Sequence, residues 1–230
     1  EFNGKVIVHI GALNTRDAVD LAIHAAKWQA DAISSMPPVN RGFPQVYGYY
    51  KDIALAAGLP LLIYYIPVVT HHAFSFEEML QLLDIDGVAG LKYTDWNLFH
   101  MKRLIMARPG ITIFNGCDEI FCLGLLYGSD GGIGTTYNLF PRHFVGIYEA
   151  VQKNDIVRAM QLQDALSSFF DFLYRHGLYP IFEYLLAQHG YGQRTYRKPF
   201  LSLDPAVLKN IEPELHTRLE AMNTLVSEQK

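Results

Sequence analysis

Residues 61–95 have the sequence LLIYYIPVVTHHAFSFEEMLQLLDIDGVAGLKYTD, in which two short apolar runs flank a segment with helical periodicity. The first run, Leu61–Ile66, consists of apolar and aromatic residues followed by a proline, and it predicts a strand. Ser75 and Glu78 have the spacing of a capping box, so a helix is expected to begin after Ser75. The second run, Val88–Tyr93, predicts another strand. A strand, a helix and a second strand in this order indicate a parallel sheet in an α/β protein.

The same strand-and-helix pattern recurs along the chain and predicts six βα units. The predicted strands are residues 5–11, 31–36, 61–66, 88–93, 111–115 and 131–136. Apolar residues at helical spacing predict the buried face of the first helix: Ala18, Val19, Leu21, Ala22, Ala25, Ala26 and Trp28. From about Pro141 the strand pattern stops, and three helices are predicted near residues 155–174, near residues 180–189 and from Pro205 onwards.

The number of strands leaves two architectures open. A closed parallel (β/α) barrel normally has eight strands, so this chain would lack two N-terminal βα units or obtain them elsewhere. The alternative is an open doubly wound sheet, which binds its ligand where the strand order reverses.

Composition excludes several classes of protein. The 230 residues are 50% hydrophobic and 18% charged, enough for a large core without metal or disulfide support. The net charge of −4 and the lack of a basic run argue against nucleic acid as a partner. No apolar stretch approaches the roughly 18 residues of a membrane span and no signal peptide is recognised, so a cytoplasmic protein is expected. Cys117 and Cys122 are predicted to be free buried thiols, and the nine histidines lack the spacing of a metal site.

Lys92 is the first candidate for chemistry, because both architectures bind ligands at the carboxyl ends of strands. An ammonium group inside an apolar strand is costly to bury, and burial favours the free amine, which can form a Schiff base with a ketone. The alternative is that Lys92 reaches solvent or pairs with Asp95. Tyr64, near the end of the preceding strand, is within cross-sheet reach and could relay protons, although most of the 14 tyrosines must simply pack.

Two further groups could bind a ligand. Asp118 and Glu119 could accept hydrogen bonds from the hydroxyls of a polyol, or they could only complement the dipole of a helix that they open. The glycine-rich segment 131–134 with Thr135 and Thr136 offers amides and hydroxyls to an anion such as a carboxylate.

Four segments together resemble one branch of a known enzyme family. They are YYIP (64–67), GLKYT (90–94), FNGCDEIF (114–121) and DGGIGTTYN (130–138). In content, order and spacing they are similar to the N-acetylneuraminate lyase branch of the dihydrodipicolinate synthase-like class I aldolases. The resemblance extends from the first strand to RKPF (197–200).

This resemblance implies a TIM-type (β/α)8 barrel with a C-terminal helical domain, usually assembled as a homotetramer. The chain would begin at the third strand of the family, so that the first two units are absent. Residues 1–140 would form the partial barrel with strands three to eight, and residues 141–230 the helices that complete and cap it.

The resemblance also implies the activity and the roles of seven residues. Lys92 would form the Schiff base with the keto acid, and Tyr64 would shuttle the proton while N-acetylneuraminate is cleaved to pyruvate and N-acetylmannosamine. No metal or organic cofactor is implied. The residues similar to the sugar contacts are Thr94, Gly116, Asp118, Glu119 and Thr135.

Several departures from the family pattern keep alternatives open. Thr135 stands where the lyases usually have serine, and Val68-Val69-Thr70 lack the arginine expected of the dihydrodipicolinate synthases. The Gly-Ser/Thr-Thr loop that holds the pyruvate carboxylate has no counterpart. The alternatives are an inactive or truncated lyase fragment, and an aldolase or dehydratase acting on another 2-keto-3-deoxy sugar acid.

Overall fold

The computed structural model describes residues 3–191 and 199–227, so Arg197 and Lys198 of the RKPF segment lie outside the described residues. The chain forms two compact units. The sheet unit comprises the described residues of Glu1–Cys117 and Leu123–Ile133. The helical unit comprises those of Asp118–Cys122 and Gly134–Lys230. The predicted division at residue 140 stays a prediction.

Strands and helices alternate through the first part of the chain. In order they are β1 (Ile7–His9), α1 (Thr15–Lys27), β2 (Ala32–Ser35), α2 (Phe43–Ala57), β3 (Leu61–Tyr65), α3 (Pro67–Thr70), α4 (Phe76–Leu83), β4 (Val88–Tyr93), α5 (Leu98–Ala107), β5 (Thr112–Asn115), a 3-10 turn (Asp118–Ile120), α6 (Phe121–Leu126) and β6 (Gly131–Gly132). The capping box predicted before α4 is present, because Ser75 and Glu78 exchange both hydrogen bonds.

The six strands form one parallel sheet in the order β1-β2-β3-β4-β5-β6. Every strand pairs with its neighbour in sequence, so the described sheet contains no reversal of strand order. A doubly wound sheet requires such a reversal, and that alternative is therefore wrong. The sequential order is the one that a (β/α) barrel uses.

Side chains alternate between the two faces of the sheet. Ile63, Leu91 and Ile113 are register partners on one face and are fully buried in a core shared with α1, α2, α4 and α5. Tyr64, Lys92 and Phe114 are register partners on the opposite face, which we call the Lys92 face. The register therefore places the predicted catalytic residues side by side.

Two expectations about these elements were wrong. The sixth strand has only two residues instead of six, because glycine has no side chain to pack and the amide of Thr136 is bound elsewhere. On α1 the buried residues are Ala18, Ala22 and Ala25, whereas Leu21 is 46% and Trp28 is 72% exposed. The alanine stripe faces the core together with the partly buried Val19, and Trp28 lies beyond the last helical turn.

The helical unit continues with a second 3-10 turn (Thr136–Asn138), α7 (Pro141–Gln152), α8 (Ile156–His176), α9 (Leu178–Gln188) and α10 (Pro205–Ser227). The predicted helices from 155, 180 and 205 are confirmed. Helix α8 begins after Asp155, whose carboxylate accepts a hydrogen bond from the Arg158 amide, and ends at Gly177 with φ of 106°.

Two findings complete the description. Cys117 and Cys122 are buried thiols that form no disulfide within the described residues, as predicted. Within residues 3–191 and 199–227 we find no helix with the length and apolarity needed to cross a membrane.

Candidate active site

Lys92 and Tyr64 lie next to each other on adjacent strands. They are register partners of β4 and β3, and Lys92 Nζ lies 3.9 Å from the centre of the Tyr64 ring. This is the geometry of a cation–π contact, and both side chains are half-buried. The sequence predicts that Tyr64 lies within cross-sheet reach of Lys92, and the structure places the two side chains next to each other.

Asp95 is not the partner of Lys92. Among the described residues Lys92 forms no ion pair, and the carboxylate of Asp95 instead lies beside Tyr65 on the other face of the sheet. Burial, together with this carboxylate, raises the pKa of Tyr65 to about 12. The alternative in which Asp95 neutralises Lys92 is therefore wrong for this structure.

His9 and Ser34 also lie on the Lys92 face, and the sequence analysis missed them. His9 pairs in register with Ser34, and its ring stands edge-on to Tyr64 with 6.0 Å between the ring centres. Its Nε2 accepts a hydrogen bond from the amide of Met36, at 3.4 Å. The His9 side chain is exposed, but partial desolvation, and secondarily the charge of Lys92, lower the pKa of His9, which favours the neutral ring at pH 7.

Ser34 carries a buried hydroxyl, and its Oγ has no hydrogen-bond partner among the described residues. Buried hydroxyls are normally paired, so this one is a candidate for contact with a ligand or water. Both residues can be placed on this face from the sequence by following the alternation of side chains outward from Lys92. Polar residues at strand ends are a weaker guide, because they are more numerous at the last four strands.

Thr94 and Gly116 meet where β4 and β5 end. The Thr94 amide donates to the Tyr65 carbonyl at 2.8 Å, and the Gly116 amide donates to the Tyr93 carbonyl at 2.7 Å. A Cβ at position 116 would collide with Thr94 Oγ1, so only glycine fits there. Thr94 Oγ1 is buried and has no partner among the described residues, which leaves it available to a substrate hydroxyl.

Asp118 belongs to the helical unit and is 8% exposed. Its Oδ2 accepts hydrogen bonds from the amide of Thr136 at 2.9 Å and from Thr136 Oγ1 at 2.6 Å. A Cβ at Gly134 would collide with this carboxylate. Within the glycine-rich segment, Thr136 therefore binds the carboxylate of Asp118, and binding of a ligand anion by this segment stays a prediction.

Glu119 and Thr135 differ in how they are held. The half-buried carboxylate of Glu119 accepts a hydrogen bond from the hydroxyl of Tyr174 on α8. The side chain of Thr135 is exposed, and its carbonyl accepts from the side-chain amide of Asn138. Of the seven predicted residues, Lys92, Tyr64, Thr94 and Gly116 belong to the sheet unit and the other three to the helical unit.

Comparison with known proteins gives the family. The sequence matches the Dihydrodipicolinate synthetase family over residues 1–221. The chain belongs to this family. The relationship predicted from the four motifs is thereby confirmed, and so is the prediction of an enzyme of the aldolase and lyase type at the level of the family.

Individual relatives of this family member are lyases by name. It is 35% identical over 218 residues to N-acetylneuraminate lyase 2 of Escherichia coli O6:H1, and the alignment covers 92% of this chain and 70% of that protein. It is 34% identical over 184 residues to N-acetylneuraminate lyase of Salmonella typhimurium, covering 78% of this chain and 62% of that protein. The chain thus spans about two thirds of the length of these relatives.

A solved structure supports the fold. The crystal structure of N-acetylneuraminate lyase from Mycoplasma synoviae is similar with a TM-score of 0.83 and 31% identity, covering 93% of this chain and 73% of that one. The six-stranded parallel sheet therefore corresponds to a half-barrel of this α/β fold.

Proposed function

We propose that this chain is a Schiff-base lyase that cleaves N-acetylneuraminate to pyruvate and N-acetylmannosamine. The observation that carries the proposal is the position of Lys92 Nζ, 3.9 Å from the centre of the Tyr64 ring on the neighbouring strand. The names of the relatives support the choice of substrate.

The first step uses the amine of Lys92. In its free form it attacks the C2 ketone of the open-chain sugar acid; uptake of one proton from solvent and loss of water then give a protonated imine joined to Nζ, and the final hydrolysis releases that proton again. This cation withdraws electrons from C3. His9 is neutral at pH 7, so no second positive charge beside Lys92 opposes formation of the imine cation.

The second step uses Tyr64. Its phenolic oxygen accepts the proton of the C4 hydroxyl while the phenolic proton passes to the carboxylate of the substrate, which later gives it back; the C3–C4 bond breaks, and the electron pair of that bond moves to C3 to form an enamine. The C4 oxygen becomes the aldehyde of N-acetylmannosamine, which leaves. Tyr64 then returns the proton to C3, and water hydrolyses the resulting imine to free pyruvate and regenerate Lys92.

Recognition of the sugar part is assigned to the remaining five residues. The hydroxyl of Thr94 and the backbone at Gly116 offer hydrogen bonds near the reacting carbons. Asp118, Glu119 and Thr135 would bind hydroxyls of the polyol chain, because ionised carboxylates accept strong hydrogen bonds from such groups. A pair of carboxylates favours a polyhydroxylated substrate over one with a second acidic group.

The proposal also includes properties of the whole protein. The six strands would correspond to strands three to eight of the family's eight-strand barrel, followed by its C-terminal helical domain. A small keto sugar acid and pyruvate would be its only partners apart from further copies in a homotetramer. A cytoplasmic location and a reaction without metal or organic cofactor complete the proposal.

Borohydride trapping tests this function. Incubation with pyruvate and borohydride should reduce the imine and leave a stable adduct on Lys92, which peptide mass spectrometry locates. Lys51→Ala, at an exposed lysine of α2, is the matched control and should keep the adduct. A folded sample in which Lys92 stays unmodified would overturn the proposal. An adduct without release of N-acetylmannosamine from N-acetylneuraminate would instead redirect the search to other 2-keto-3-deoxy sugar acids.

A further inference from the structure

Helix α8 contains a buried glutamine with all its polar groups engaged by one short segment. Gln163 is 3% exposed. Its Oε1 accepts a hydrogen bond from the Cys122 amide at 2.9 Å. Its Nε2 donates to the carbonyls of Asp118 at 3.3 Å and Glu119 at 3.0 Å. One side chain therefore binds the backbone on both sides of the 3-10 turn that begins with the acidic pair.

These contacts replace a regular helical hydrogen bond. In an uninterrupted α-helix the amide of Cys122 would donate to the carbonyl of Asp118, four residues earlier. Here the amide group of Gln163 lies between the two, and the chain forms a 3-10 turn before α6 begins at Phe121. A side chain inserted in this way changes the direction of the backbone. The orientation of Asp118 and Glu119 therefore depends on Gln163.

The same helix also holds one of the two acidic side chains. Tyr174 lies about three turns after Gln163, so both project from one side of α8. Its hydroxyl donates to the carboxylate of Glu119. The carboxylate of Asp118 is held separately by the amide and hydroxyl of Thr136.

We propose that α8 sets the sugar specificity of the enzyme, with Gln163 and Tyr174 as positioning residues for the Asp118–Glu119 pair. The inference rests on the function proposed above. Neither residue is assigned a contact with the keto acid. Their effect is on the polyhydroxyl end of the substrate, because carboxylate–hydroxyl bonds weaken steeply when distance and angle depart from their optimum.

Tyr174→Phe is the first test, because it removes only the hydroxyl of an exposed ring and leaves the core intact. Hydrogen bonds to charged groups are stronger than those between neutral groups, so partial loss of the positioning effect should raise KM for N-acetylneuraminate about threefold to tenfold. The kcat should change less than twofold, and borohydride trapping of pyruvate on Lys92 should equal that of the wild type. Tyr148→Phe, at another partly exposed tyrosine of this unit, is the matched control and should change neither quantity.

Gln163→Leu tests the backbone contacts with a side chain of similar size. Loss of all three hydrogen bonds should raise KM by about tenfold or more and lower stability, since buried backbone groups lose their partners. Gln161→Leu, at an exposed glutamine on the same helix, should leave KM unchanged. Should Gln163→Leu fail to fold, Tyr174→Phe alone decides.

A shorter substrate separates positioning from general damage. The second substrate is a 2-keto-3-deoxy sugar acid that lacks the glycerol side chain. For this substrate, either variant should increase log KM by less than half of its increase for N-acetylneuraminate. Three outcomes would overturn the role of α8. They are an equal increase in KM for both substrates, a parallel loss of pyruvate trapping, and an unchanged KM in variants that fold. Failure of the proposed function itself looks different, because the wild-type protein would then trap no pyruvate.

Discussion

The reacting pair and the acidic pair are held in opposite ways. Tyr64 and Lys92 are brought together by the register of two adjacent strands, within one βαβ unit. Asp118 and Glu119 are held by side chains from elsewhere, including a glutamine 44 residues further along the chain from Glu119. The comparison indicates that the site for bond cleavage is specified locally, whereas the proposed specificity for the sugar depends on distant packing. Three predictions concern the sheet unit, which carries the reacting pair, and a fourth concerns both units.

The largest effect is expected at Lys92. Lys92→Ala removes the only group proposed to bond covalently to the substrate, so both pyruvate trapping and sugar acid cleavage should fall by about a thousandfold or more. Trapping is read by mass spectrometry and cleavage by release of pyruvate. Residual cleavage within tenfold of the wild type would remove Lys92 from the mechanism.

Tyr64→Phe should separate two steps that Lys92→Ala abolishes together. General acid–base groups contribute about 10²–10⁴-fold, so cleavage should drop by that amount. Trapping of pyruvate needs no C–C bond to break and should stay within about tenfold of the wild type. If the two assays fall equally, Tyr64 acts on imine formation and the proposed division of roles is wrong.

Gly116→Ala tests how tightly the ends of β4 and β5 are packed. The new methyl group would overlap Thr94 Oγ1, so we expect a loss of about 1–3 kcal/mol in the free energy of unfolding. Urea denaturation measures it. Adding Thr94→Ala should recover part of the loss, because it removes the colliding atom. Gly48→Ala is the control: it lies in α2 with open space around it, and it should leave the protein as stable or more stable.

The smallest effect is a decline of stability in mild acid, shared by the two units. Burial lowers the pKa of His143 in the helical unit below the usual 6.5, and partial desolvation lowers that of the exposed His9 in the sheet unit. Between the lowered pKa and 6.5 the unfolded chain binds more protons than the folded one, so stability falls as the pH decreases through this window. The buried His143 contributes at most about 1.4 kcal/mol per pH unit, and the exposed His9 contributes less because solvent screens its interactions.

Urea midpoints at pH 7.5 and 5.5 measure this decline. His143→Gln should reduce the difference between the two midpoints, although it also alters the hydrogen bond between His143 and the Met222 carbonyl. A urea midpoint that is higher at pH 5.5 than at pH 7.5 would contradict the expected loss of stability in acid.

Local patterns in the sequence were sufficient for most of the fold. Strand β4 matches its predicted bounds, the capping box at Ser75 is present, and α10 begins at Pro205. In each case residues close in sequence determine the result. The strand order required the structure, since periodicity does not say which strands pair.

The candidate site was only partly predictable for the same reason. Lys92 and Tyr64 follow from strand ends that can be recognised in the sequence. Gln163 and Tyr174 carry no local signal, because an ordinary amphipathic helix contains such residues and only tertiary packing directs them to the acidic pair. Thr136 stood within the predicted anion-binding segment, but its partner Asp118 could be found only from the structure.

The sequential order of the strands has a consequence for how the sheet comes apart. Each ladder joins strands that are consecutive in the sequence, so opening can proceed strand by strand from β1 or β6 without disturbing the centre. The two strands with Tyr64 and Lys92 are the innermost pair. Opening confined to β1 or β6 therefore leaves Tyr64 and Lys92 side by side, although opening at β1 takes His9 away from this face.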